Sequence, residues 1–167
     1  MQVRVAKTDD VSNIEALFHR SYSVLMAQAY SSELLAIALP AMIRANPALI
    51  ASENFFAVED AGTIIGCGGW SLDAPGSGVT TSGLAHIRHF AVDPEHGRRG
   101  VGRAIFSECA KSAVMKGAVN FQALSSLNAE GFYARMGLKK LDLIDIPMGV
   151  AVLFPVVLME GAIPEIP

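Results

Sequence analysis

Cysteine is nearly absent: Cys67 and Cys109 are the only two among 167 residues. They lie far apart and have no second pair, so no disulfide framework or zinc spacing can be built from them. Charge is also sparse. Asp, Glu, Lys and Arg make up 17% of the chain and the formal net charge is −3, too mild to mark a nucleic-acid binder or a substrate of one sign. Long apolar runs are missing. The longest, Val150 to Met159, is broken by Pro155 and is too short to span a bilayer. The opening MQVRVAKTDDVSN lacks the apolar core of a secretory signal. These shortages lead to the expectation of a soluble cytoplasmic protein with no metal, membrane or nucleic-acid partner. Apolar residues, in contrast, make up 51%, enough for one folded domain with a sizeable core.

Periodicity divides the chain into short elements. QVRVAKTDD reads as a first strand running into a helix cap. Val11 to Tyr30 repeats apolar residues on one helical face, at Ile14, Leu17, Phe18, Leu25 and Met26. SSELLAIALPAMIRANP opens on a serine cap and stops before Pro47, a second helix that Pro40 is expected to kink or split. NFFAVEDAGTIIGCGGWS reads as a hairpin turning at Asp60-Ala61-Gly62, and LDAPGSGVTTSG as a flexible loop. LAHIRHFAV is a strand, Val101 to Lys116 a helix ended by Gly117, VNFQAL a strand and NAEGFYARMG a short helix. Strands around Leu138–Ile144 and Met148–Met159 follow. The order is β-α-α-β-β-β-α-β-α-β-β, in one domain over residues 1–160 with a loose tail at 161–167.

One stretch is costly unless something needs it. HFAVDPEHGRRGVGRAIF sets Gly97, Gly100 and Gly102 among arginines at the mouth of a helix, where glycine weakens the fold. A strand that ends in such a turn and opens a helix leaves backbone N–H groups free at the positive end of the helix dipole. Phosphate oxygens fit there, and Arg98, Arg99 and Arg103 can add charged hydrogen bonds. The alternative is a tight turn with solvated arginines. Neither G-x-x-x-x-G-K-[ST] nor G-x-G-x-x-G is present, which argues against the common nucleotide loops.

VDPEHGRRGVG resembles motif A of the GNAT superfamily of acyl-CoA-dependent N-acyltransferases, and NAEGFYARMGL, Asn128 to Leu138, resembles the family's A-x-x-F-Y-x-x-x-G-[F/L] segment. The two occur in order with one strand between them, and the resemblance covers about Val3 to Met159. It implies an α/β (α+β) fold. A mixed, mostly antiparallel sheet of six to seven strands is flanked by about four helices and splays between strands 4 and 5. It also implies acetyl-CoA as co-substrate. Phe90, Ala91 and Val92 would pair with its pantetheine arm, and amides of Arg98, Arg99, Gly100, Val101, Gly102 and Arg103 would hold its diphosphate. Asn128 and Tyr133 would lie beside it. One departure stands out: the family's Gln or Arg position carries Gly97, and the usual glycine after it is Arg98. A diphosphate contact is then missing or supplied differently, while a positive φ at Gly97 would preserve the backbone path.

Acetyl transfer to an amine needs a polarised thioester carbonyl, a stabilised thiolate and an unprotonated amine. A free N–H near Phe90 to Val92 serves the first. The Tyr133 phenol serves the second, unless it is a core aromatic beside Phe132. The base candidate is His86 in HIRH, which titrates near neutrality. It shares a strand face with Arg88, Phe90 and Val92 unless a bulge intervenes. The alternative is a surface histidine with a hydrogen-bond partner. His89 has the opposite parity and reads as structural; His19 and His96 read as surface histidines. Tyr22, Tyr30, Trp70 and Asp73 are acceptor-side candidates or packing residues. The expected activity is N-acetylation of a primary amine on a small molecule or exposed protein, by direct attack in a ternary complex. A non-catalytic acyl-CoA sensor and a protein whose turn binds nothing are the rivals. Assembly as a homodimer is left open.

Overall fold

The computed structural model describes residues 1–166. Seven strands form one sheet: β1 (Gln2–Val5), β2 (Phe55–Asp60), β3 (Thr63–Ser71), β4 (Leu84–Val92), β5 (Asn120–Ser126), β6 (Lys139–Pro147) and β7 (Leu153–Ala162). Their spatial order is β1-β2-β3-β4-β5-β7-β6. Every pairing is antiparallel except β4 with β5. The helices are α1 (Val11–Leu25), α2 (Ser32–Met42), α3 (Pro47–Ile50), α4 (Val101–Met115) and α5 (Glu130–Arg135). Among the described residues, no helix is long and apolar enough to cross a membrane.

Strand alternation builds two apolar layers. Phe56 and Val58 of β2 and Val157 and Met159 of β7 face α4 and Tyr133. Their neighbours Phe55, Ala57, Phe154 and Val156 face α1 and α2. Ser31 caps α2 by accepting from the Leu34 N–H at 3.2 Å, as its hydroxyl predicts. Pro40 does not split that helix, which runs on to Met42. Near the helix's end, a proline disturbs few backbone bonds.

Two boundaries differ from the sequence reading. Helix α1 stops at Leu25 and tightens into a 3-10 turn over Met26–Gln28. Strand β7 continues through Gly161 and Ala162, and the Ile163 N–H donates to the Val119 carbonyl at 2.9 Å. The start of the expected loose tail is therefore tied to the sheet, while Pro167 lies outside the described residues.

The feature that positions the site is a gap. Strands β4 and β5 pair only where Leu84–His86 meets Asn120–Gln122. Among the described residues the ladder does not continue from Ile87–Val92 to Ala123–Ser126, which is the expected splay. On its other side, β4 bulges. Cys67 opposes Ala91 but Gly69 opposes Arg88, so Gly68 alone faces two residues, His89 and Phe90. His89 takes a left-handed φ of 53°, as the extra residue of a bulge can. Gly68 is required there: a Cβ would run into the Phe90 ring.

Candidate active site

A cleft of about 1020 Å³ opens along the gap. One half is lined by β4, the turn after it, the start of α4, and α5. The other half is lined by α1, the end of α2, the end of β5, and β6–β7.

At the mouth of α4 the chain does what an anion cradle needs. Asp93 accepts from the Glu95 N–H at 3.0 Å and from the Arg20 guanidinium at 3.0 Å. Those hydrogen bonds hold its carboxyl below the usual range, against the opposing effect of burial. Gly100 caps the helix with φ of 78°, and open space lies where its side chain would be. Amides of the first turn of α4 have no earlier helical partner and are free for a ligand. The positive φ that Gly97 is free to take falls instead on Arg98, at 62°, while Gly97 is extended at −60°. Arg98 and Arg103 line the cleft and are exposed. Arg99 does not line it; its guanidinium lies 3.5 Å from Asp60. Gly102 has a packing reason as well, since a Cβ there would lie 3.0 Å from the Phe132 ring.

Further in, the Asp93 N–H donates to the Ile65 carbonyl on β3 at 2.8 Å. By strand alternation the Val92 N–H points the other way, into the gap. Phe90, Ala91 and Val92 all line the cleft, as do Asn128 and Tyr133. Tyr133 is 6% exposed, and no hydrogen bond engages its hydroxyl among the described residues. Burial pushes its pKa up, so the phenol is a proton donor and not a phenolate at neutral pH. Its ring centre lies 6.1 Å from that of Phe90.

The histidines exchange places relative to the sequence reading. The bulge swaps the faces of β4, so His86 does not share one with Phe90 and Val92. His86 is 4% exposed, is absent from the cleft lining, and its buried Nε2 has no partner among the described residues. His89 lines the cleft with its ring 5.9 Å from that of Phe18. Burial, with Arg88 adjacent, lowers its pKa to about 4, so it is a neutral base at pH 7. His96, read as a surface residue, is a further cleft residue. Its Nδ1 is buried, 3.8 Å from the Asp93 carboxylate.

The acceptor-side candidates separate cleanly. Tyr22 lines the cleft and donates to the Phe90 carbonyl at 3.2 Å. Trp70 is fully buried with its indole N–H on Ser112 at 3.1 Å. Tyr30 is an anchor: its hydroxyl donates to the Pro155 carbonyl at 2.7 Å and accepts from the Leu127 N–H at 2.8 Å. Asp73 bridges Thr80 in the loop after β3.

A family model described as an acetyltransferase (GNAT) domain matches residues 51–140, more than half of the chain. The chain belongs to the GNAT acetyltransferase family. Among solved structures it is similar to a GCN5-related N-acetyltransferase from Rhodopseudomonas palustris. That match has 19% identity and a TM-score of 0.76, covering 96% of this chain and 94% of that one. The PaiA N-acetyltransferase of Thermoplasma acidophilum, in complex with coenzyme A, matches at 17% identity and a TM-score of 0.72, covering 96% and 98%. A ribosomal-protein-alanine N-acetyltransferase from Brucella melitensis matches at 15% identity and a TM-score of 0.65, covering 97% and 99%. At these identities the likeness is one of fold. No curated protein matches the sequence.

Proposed function

We propose that the protein transfers the acetyl group of acetyl-CoA to a primary amine, by direct attack in a ternary complex. The observation that carries this reading is the continuity of the β4–β5 gap with the left-handed Gly100 cap of α4. A long anionic thioester needs such a shape: a phosphate cradle at one end and unpaired strand edge beyond it.

The amides of Arg98 through Arg103 hold the diphosphate. The Arg98 and Arg103 side chains add charge, in place of the side-chain hydrogen bond that Gly97 has no atoms to make. The pantetheine arm pairs with the free edge at Phe90–Val92, passing Asn128. An N–H from that edge polarises the thioester carbonyl. The amine nitrogen attacks the carbonyl carbon, and the carbon–sulfur bond breaks. The departing sulfur takes the Tyr133 hydroxyl proton, the proton on the amine passes to neutral His89, and exchange with solvent then deprotonates His89 and reprotonates Tyr133. His89 replaces His86 in this role because it lines the cleft.

Thiol release from acetyl-CoA across a panel of primary amines tests the reading. Amine-dependent release with matching acetylated product is expected. Binding of acetyl-CoA without release for any amine would replace the transferase with an acyl-CoA sensor.

A further inference from the structure

The half of the cleft away from the phosphate cradle has an unusual lining for an amine site. Among the described residues, no Asp or Glu lines the cleft at all. Its charged side chains are Arg98, Arg103 and Arg135, all on the cofactor half. Asp93, the carboxylate that follows the cleft residue Val92 in the chain, is engaged with Arg20. The acceptor half is walled by Leu25, Met26, Met42, Ile146, Met148 and Phe154. Its polar groups are uncharged: Ser21, Tyr22, Gln28, Ser125 and Ser126; the Tyr22 hydroxyl is already donated to the Phe90 carbonyl at 3.2 Å and the Ser125 hydroxyl to the Ser126 carbonyl at 2.8 Å.

Building on the transferase reading, we propose that the acceptor is a primary amine carried on an uncharged, apolar body, of the alkylamine or arylalkylamine class. The amine must lose its charge to react, so an apolar wall assists it by disfavouring the ammonium form. A second fixed ammonium has no such escape. It would enter a cleft whose own charges are positive, with no carboxylate to pair with. The apolar body gains by burial against the wall. The three methionines are flexible, so the wall takes bodies of varied shape.

The test compares propylamine to hexylamine with 1,6-diaminohexane, which matches hexylamine in length. Rates are measured with acetyl-CoA, and binding to the CoA-loaded protein by calorimetry. Expected is a rise in kcat/KM of roughly fourfold per methylene, with the diamine at least about tenfold below hexylamine. Met42→Glu supplies a carboxylate to the wall and should narrow that gap by about tenfold; the wild-type series decides alone if this variant does not fold. A diamine equal to or better than hexylamine, or no dependence on chain length, overturns the proposal. If no amine is turned over but hexylamine binds the CoA-loaded protein more tightly than the diamine, the transferase reading fails and the apolar-amine assignment stands. If neither binds, the assignment is overturned.

Discussion

The hydroxyl of Tyr22, on α1, donates to the carbonyl of Phe90, on β4, at 3.2 Å. That bond ties the first long helix to the bulge at the cleft's centre. Tyr22 also stacks on Phe18 at 5.3 Å between ring centres, so the tie is rigid. Tyr22→Phe keeps the stack and removes only the hydroxyl. It should lower unfolding free energy by about 0.5–1 kcal/mol and raise the KM for acetyl-CoA severalfold, because the free edge is less well held. Urea unfolding and initial rates measure the two effects. No change in either would make the bond incidental.

Coenzyme A should raise the melting temperature, as a ligand of the native state does. Gly102→Glu brings a negative charge to the cradle and pushes against the Phe132 ring, which a Cβ meets at 3.0 Å. The variant should lose the coenzyme A shift in a thermal-melt titration. An undiminished shift would place the diphosphate elsewhere.

Tyr133→Phe should lower kcat roughly 10²-fold, with the KM for acetyl-CoA changed less than about twofold. Only the hydroxyl is lost, and the ring packing against Phe90 and Phe132 remains. Steady-state kinetics decide this: equal kcat in the two proteins would leave Tyr133 a packing residue.

His89 makes stability depend on acid. Its native pKa is about 4, against about 6.5 in an unfolded chain. Below pH 6.5 the unfolded state takes up a proton that the native state refuses. This contribution to stability is complete above pH 6.5 and falls away towards pH 4, by up to about 3 kcal/mol. Denaturant midpoints in His89→Gln should decline less steeply over that window. With an acceptor amine of low pKa, the wild-type rate should show no imidazole step near 6.5, since His89 is already neutral there. His89→Gln should lower the rate at every pH. A step near 6.5 that vanishes in His86→Ala would return the base to His86.

Much of this was local and therefore legible. A glycine-rich turn after an apolar strand marks a helix mouth wherever it occurs, and HGRRG is followed directly by α4. The element order, the hairpin and the short helix carrying Tyr133 rest on periodicities a few residues long. His86 lies outside the cleft lining for a non-local reason. Parity along HIRHFAV is regular as text, but Gly68 across the sheet admits the Phe90 ring and forces an extra residue into β4. That one residue puts His86 on the face opposite Phe90 and Val92, and His86 also lies where β4 is still paired with β5. Arg98, not Gly97, bears the left-handed φ. Likewise, Tyr22 and Phe90 are 68 positions apart, and the apolar wall joins α1 to the last two strands. Composition and local pattern determined that the chain folds and that a glycine-rich turn opens α4. Only tertiary structure decided which histidine and which wall meet that turn, because the pairing of strands, unlike the period of one strand, depends on residues far apart in sequence.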